Sequence, residues 1–276
     1  MSASASTSSA SAGMAGNFTF FCKTSEGYII KTLAELLQNN IKNGCFILSK
    51  KGIIFRMTDS NKKILIDLEM AGENFVQYKF KNPGVMSIGL NFTHFYKMVK
   101  SIKKKDSVVL FIDEEHSNEL GIRVIPKEKT RITTSFVKIQ NLQSLDIELP
   151  EGYDSAVIVP SNEYVKMIKD LNSMGGNAIN IASSDNTIKF TCNSNGVYSR
   201  DIVFGDGDDE KFSVTQEFEM EQLIRISKVA GLSTQIQIFQ AEELPIMFKS
   251  NVGNLGKICV YLKDKSMLTE DESEEV

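Results

Sequence analysis

Four times along the chain an amphipathic helical stretch runs through a short polar break into a pair of strands, and this internal repeat admits few architectures. The units occupy residues 28–41 then 45–57, 92–102 then 108–125, 163–174 then 178–192, and 220–232 then 235–248. A helix with one apolar stripe cannot bury that stripe alone. The copies are therefore expected to pack side by side on a shared sheet, with the helices on one face. The second unit (Phe92, Lys97, then 107–110) and the fourth (Phe218, Arg225, then 234–238) lie roughly one domain length apart. The chain reads as a tandem duplication in which each half carries two units.

In the second helix Phe92, Phe95, Tyr96, Val99 and Ile102 recur at three- and four-residue steps, while Lys97, Lys100 and Lys104 form a separate stripe. The third opens on what reads as a capping sequence, Pro160-Ser161-Asn162-Glu163, with Tyr164, Val165, Ile168 and Leu171 inward and Lys166 and Lys169 outward. The first helix keeps an apolar face (Ile29, Ile30, Leu33, Leu37, Ile41) but offers only Lys31, with Glu35 nearby; the fourth offers Arg225 and Lys228 beside Glu221. A lysine stripe on one helix is usually a solvated face. Several such stripes on one side of a sheet make a cationic surface. The strands alternate as half-buried antiparallel strands do, as in 64–68, 180–182 and 235–239, and the turn clusters at 49–52 and 183–186 predict hairpins. The fold class is α+β, with two similar domains.

Composition narrows the function. With 42% hydrophobic and 24% charged residues in 276, the chain can build two cores, and it carries no membrane-length apolar run. Residues 1–15, almost only Ser, Ala, Thr and Gly, lack the basic start and apolar core of a signal peptide and read as a disordered leader. Cys22, Cys45, Cys192 and Cys259 are scattered through apolar strand-like settings with no CxxC pair, which predicts buried free thiols in a reducing compartment. The sequons at Asn17 and Asn91 are then without meaning. Of the 35 acids, five (Glu270, Asp271, Glu272, Glu274, Glu275) sit in the tail 268–276, which leaves 30 against 31 bases and a near-neutral body. No cofactor motif is present. The acidic runs 113–115 and 206–210 could suggest a metal-dependent hydrolase, but they fall in turns, where acids are commonly solvated, and neither is expected to have a histidine or supporting hydrogen-bond partners beside it.

The halves, 16–138 and 155–267, are joined by a segment at 139–154 with neither clean period, ended by Pro150 and Gly152. Its Leu142, Leu145, Ile147 and Leu149 are unusually apolar for a linker. Some should dock on a domain and the rest are free to meet a partner.

From Asn17 to about Lys265 these residues resemble the DNA sliding clamps of the proliferating cell nuclear antigen type. The most specific stretches are GIIFRMTDS at 52–60, PSNEYVKMIKDL at 160–171 and LPIMF at 244–248, followed by GNL at 253–255 and Tyr261-Leu262; their order around the connector carries the likeness. The resemblance implies a non-enzymatic ring of three identical subunits, helices lining a channel that duplex DNA threads, and strands forming a continuous outer sheet. Lys31, Lys97, Lys100, Lys104, Lys166, Lys169, Arg225 and Lys228 would face DNA without reading bases, while Gln38, Ser173 and Glu221 fall where bases are common and Lys103 and Lys105 could compensate.

By the same similarity the subunit edges lie at Thr134, Phe136, Val137 and Ile139 in the first half and at Arg200, Ile202 and Phe204 in the second. A proline at Val137 is expected to remove a ladder donor and open the ring. A pocket under the connector, made by Met57, Ile64, Ile147, Leu149, Pro245, Tyr261 and Leu262, would take short helical-turn peptides from DNA polymerase and other replication proteins. A clamp loader is a further implied partner, and the site of action is the nucleus or a viral replication compartment. Asn61-Lys62, Lys263-Asp264 and Asp185 depart from the family at the pocket and at a modified surface lysine. Alternatives are a monomeric or dimeric clamp-fold processivity factor and a checkpoint-type subunit of a heterotrimer.

Overall fold

A computed structural model describes residues 16–128, 130–143, 146–184, 186–194, 196–205 and 212–268. The first half runs β1 (Phe18–Thr24), α1 (Gly27–Asn40), β2 (Asn43–Leu48), β3 (Gly52–Thr58), β4 (Ile64–Ala71), β5 (Gln77–Phe80), β6 (Met86–Asn91), α2 (Phe92–Val99), β7 (Ser107–Asp113), β8 (Glu119–Ile125) and β9 (Thr133–Lys138). The second repeats the order as β10 (Val157–Pro160), α3 (Ser161–Ser173), β11 (Ala178–Ser184), β12 (Thr187–Ser194), β13 (Tyr198–Gly205), β14 (Val214–Glu219), α4 (Met220–Ile226), β15 (Gln235–Phe239), β16 (Ile246–Val252) and β17 (Gly256–Leu262). Among the described residues only β5 lacks a counterpart. Nor, among the described residues, is any helix long and apolar enough to cross a membrane.

The strands of the described residues form three antiparallel sheets, ordered β5-β1-β7-β8-β9, β10-β15-β16-β17-β4-β3-β2-β6 and β13-β12-β11-β14. The eight-stranded sheet joins the halves, because β17 pairs with β4 from Gly256↔Met70 to Leu262↔Ile64. Alternate residues of each strand point to the helix side, as a period of two requires. On that side one core runs through both halves, with Phe46, Phe55 and Phe92 in mutual ring contact. Gly44 permits the contact: a Cβ there would stand 2.5 Å from the Phe92 ring. The hairpin expected at 49–52 forms, closed by Ser49 and Gly52 exchanging both backbone hydrogen bonds. Gly52 is at φ 150, and a Cβ on it would meet the Met70 carbonyl at 2.0 Å. The four thiols are free, with Cys22, Cys45 and Cys192 buried. Burial pushes the Cys22 thiol up to about 12, which makes it a packing group and not a nucleophile.

Three local expectations need correction. The helix at 163–174 begins two residues earlier, at Ser161, with Pro160 as its N-cap; the Ser161 hydroxyl caps nothing and is buried without a partner. Pro160 brings a pre-set φ of -60 to the entry, and the Ser161 N–H is used by the Thr234 carbonyl. The fourth helix is α only to Ile226 and continues as a 3-10 turn over Ser227–Gly231. Lastly, Val137 does not point its backbone donor at the open edge of β9, where the expected loss of a joint would require it. The Ile139 N–H donates to Asn118 on the β8 side, whereas Gln140 and Gly89 exchange hydrogen bonds on the other side. Antiparallel ladders alternate donors residue by residue. Val137 therefore points its N–H at β8, and Thr134, Phe136 and Lys138 point theirs at the open edge.

Candidate functional sites: a cationic helix face and an outer groove

The helices lie in one layer. α1 packs against α2 and α4, and the 3-10 turn after α4 bridges α1 and α3. Each helix buries its apolar stripe on the sheets and presents its bases on the opposite side. Lys97, Lys100, Lys104, Lys166, Lys169 and Arg225 are exposed, and Lys31 and Lys228 are half-buried.

Their partners differ. Lys228 is paired with Glu35 at 2.9 Å, Lys166 with Glu163 at 2.8 Å and Arg225 with Glu221 at 3.6 Å. The Lys31 ammonium reaches the Ile102 carbonyl at 3.4 Å. Among the described residues the ammonium groups of Lys97, Lys100, Lys103, Lys104, Lys105 and Lys169 have no acidic partner. Five of these six sit on α2 or the turn that follows it. Exposed ion pairs stabilise a fold very little. They do cancel outward field, so the unpaired positive charge is concentrated on the first half. Such a surface attracts a polyanion through its backbone and reads no sequence.

On the opposite side of the eight-stranded sheet a row of side chains crosses four strands. Thr58 lies opposite Leu65, Leu65 opposite Tyr261, and Tyr261 opposite Met247. The connector passes over this row. Arg56 on β3 donates from Nε to Asp67 at 2.8 Å and from a terminal nitrogen to the Ile147 carbonyl at 3.2 Å. Further on, the Tyr153 hydroxyl donates to the Pro245 carbonyl at 2.5 Å, and its ring stands 6.3 Å from that of Tyr261. Burial raises the pKa of both phenols, so they remain neutral hydrogen-bonding groups. Ile147, Leu149 and Pro245 are half-buried along this path. The result is an apolar groove with a guanidinium at one end.

Three residues expected in that groove are not in it. Ile64 is 1% exposed and Leu262 0%, both in the helix-side core, and Met57 packs against the same core. A shift of one residue moves a strand side chain to the other face. Their neighbours Thr58, Leu65 and Tyr261 take the outer positions. Arg56, Thr58, Leu65 and Met247 were missed, although alternation from the core residue Phe55 would have found the first two.

Of the edge residues, Phe136 is 54% exposed, and Thr134 and Arg200 are exposed as well. Val137 is 5% exposed within the core, and Ile139, Ile202 and Phe204 pack partly against it. The turn at 113–115 does have a histidine at hand: ligand atoms of Asp113, Glu115 and His116 lie within 4.8 Å of one another on an exposed turn. The run 206–210, Asp185, Leu145, residues 1–15 and 269–276 lie outside the described residues.

Known proteins share the sequence pattern and the fold of this chain. The family model for proliferating cell nuclear antigen, N-terminal domain, matches residues 20–148, and that for the C-terminal domain matches 148–265. The chain is 23% identical over 254 residues to a probable DNA polymerase sliding clamp 1 of Paramecium bursaria Chlorella virus 1, covering 88% of this chain and 95% of that one. It is 22% identical to a probable DNA polymerase sliding clamp of Autographa californica nuclear polyhedrosis virus, covering 89% and 96%. Proliferating cellular nuclear antigen from Entamoeba histolytica has the same fold, with TM-score 0.77 at 19% identity over 90% of this chain and 99% of the other. Two domain models that meet at residue 148, on a fold that repeats its element order about the same connector, show that the chain belongs to the proliferating cell nuclear antigen family of sliding clamps.

Proposed function

We propose that this protein is a DNA polymerase processivity factor that works as three copies closed head to tail around duplex DNA. Its domains at 16–138 and 155–267 are joined by the connector at 139–154. One observation carries the ring. Inside the chain, the last strand of the second half, β17, pairs with the third strand after the first helix, β4. Their counterparts in the duplicated order, β9 and β13, are both sheet edges with no further strand beside them among the described residues. Repeating the internal joint between β9 of one copy and β13 of the next satisfies both edges and closes a ring of identical contacts. The number three comes from the family. Light scattering at micromolar concentration should give three times the chain mass of 30.8 kDa. A mass of one or two chains would overturn the ring.

Within it, the helix layer faces DNA and the outer groove receives a short helical turn from polymerase and other replication proteins, in the nucleus or a viral replication compartment. A clamp loader opens the ring onto DNA. The face assignment of the groove predicts a contrast between adjacent residues. Leu65→Asp places a charge among the apolar anchors and should cost at least ~2 kcal/mol of peptide affinity by calorimetry, with the ring mass unchanged. Ile64→Ala empties a core position and should cost about 2–5 kcal/mol of stability by denaturant unfolding, with little effect on the peptide. Reversed outcomes would exchange the two faces.

A further inference from the structure

We propose that Arg56 is a positioning residue that holds the connector over the outer groove; the inference rests on the reading of that groove as a partner site. Arg56 lies on the outer face of β3 directly opposite Asp67 on β4. Asp67 is 6% exposed, and its carboxylate accepts the Arg56 Nε–H at 2.8 Å. A charge-assisted bond to a buried carboxylate fixes the plane of the guanidinium. With that plane fixed, a second N–H is aimed out of the sheet and meets the Ile147 carbonyl at 3.2 Å, across 91 positions of sequence.

The connector is held elsewhere by the paired bonds between Gln140 and Gly89 and by the Tyr153 hydroxyl on Pro245. Arg56 ties it down between these anchors, at the residue that supplies an apolar side chain to the groove. A backbone held at Ile147 keeps the groove formed before a peptide arrives, so less ordering entropy is lost on binding. Lysine cannot substitute. Its single ammonium lacks the planar fork that serves the carboxylate and the carbonyl together.

The test uses the full-length protein with Arg56→Met and Arg56→Lys. Hydrogen exchange is followed at the connector amides around Ile147, and calorimetry uses a synthetic helical-turn peptide carrying aliphatic and aromatic anchors. Both variants are expected to keep ring mass, to exchange faster at the connector, and to bind the peptide roughly tenfold more weakly. A role limited to the ion pair with Asp67 predicts that lysine restores wild-type exchange and affinity, and that result overturns the proposal. Faster exchange with unchanged affinity overturns it too, since the tether would then have no bearing on binding. A wild type that binds no peptide removes the groove reading, and this inference with it, whereas loss of binding confined to the variants removes neither.

Discussion

Replacing Lys97, Lys100 and Lys169 together by glutamate is expected to abolish long products in a primer-extension assay while leaving the ring mass unchanged. All three side chains are exposed on the helix layer, and none has an acidic partner among the described residues. Each reversal turns an attraction for phosphate into a repulsion, and does so in every copy of the ring. Retention on DNA should also lose salt dependence, by roughly 0.9 of a log–log unit for each phosphate contact removed. The comparison variant replaces Lys166, Arg225 and Lys228 by glutamine. Their charges already face Glu163, Glu221 and Glu35, and the change in net charge is half that of a reversal, so a smaller loss is expected. Normal extension by the first triple variant would remove the helix layer from the DNA channel.

Phe136→Pro should convert the ring to single chains, whereas Val137→Pro should damage the chain itself. Proline deletes one N–H, and the side on which that N–H points decides the outcome. At Phe136 it points away from β8 toward the open edge, so the loss falls on the joint between copies. At Val137 it points at β8, and the stranded carbonyl there costs about 1–3 kcal/mol of fold stability. Phe136 also packs on Phe111, with ring centroids 6.1 Å apart. Phe136→Ala loses that ring but keeps the donor, and it should remain assembled. Light scattering separates the three variants; a Phe136→Pro protein of full ring mass would move the joint elsewhere.

The helices were legible because their signal is local. Phe92, Phe95 and Val99 recur at the helical period, and α2 buries these same residues. The ends were less legible. At Ser161 a local capping pattern lost to a backbone bond with Thr234, which lies far away in sequence. In the groove, the strands containing Met57 and Ile64 were recognised correctly but turned to the wrong face. Apolar character alone does not distinguish Ile64 from Leu65 when both faces of a strand are covered, one by helices and the other by a connector.

The sequence by itself determined the duplicated α+β plan, the helix stripes with their lysines, the hairpins and the apolar connector, since each follows from residue spacing within a single element. The tertiary structure decided which charges stay unpaired among the described residues, which strand face carries the groove, and which N–H groups point at an open sheet edge. Those properties depend on pairs such as Lys228 with Glu35, Tyr261 with Leu65 and Arg56 with Ile147. Such partners are brought together only when the sheet between the two halves is assembled, and no periodicity within one element encodes them.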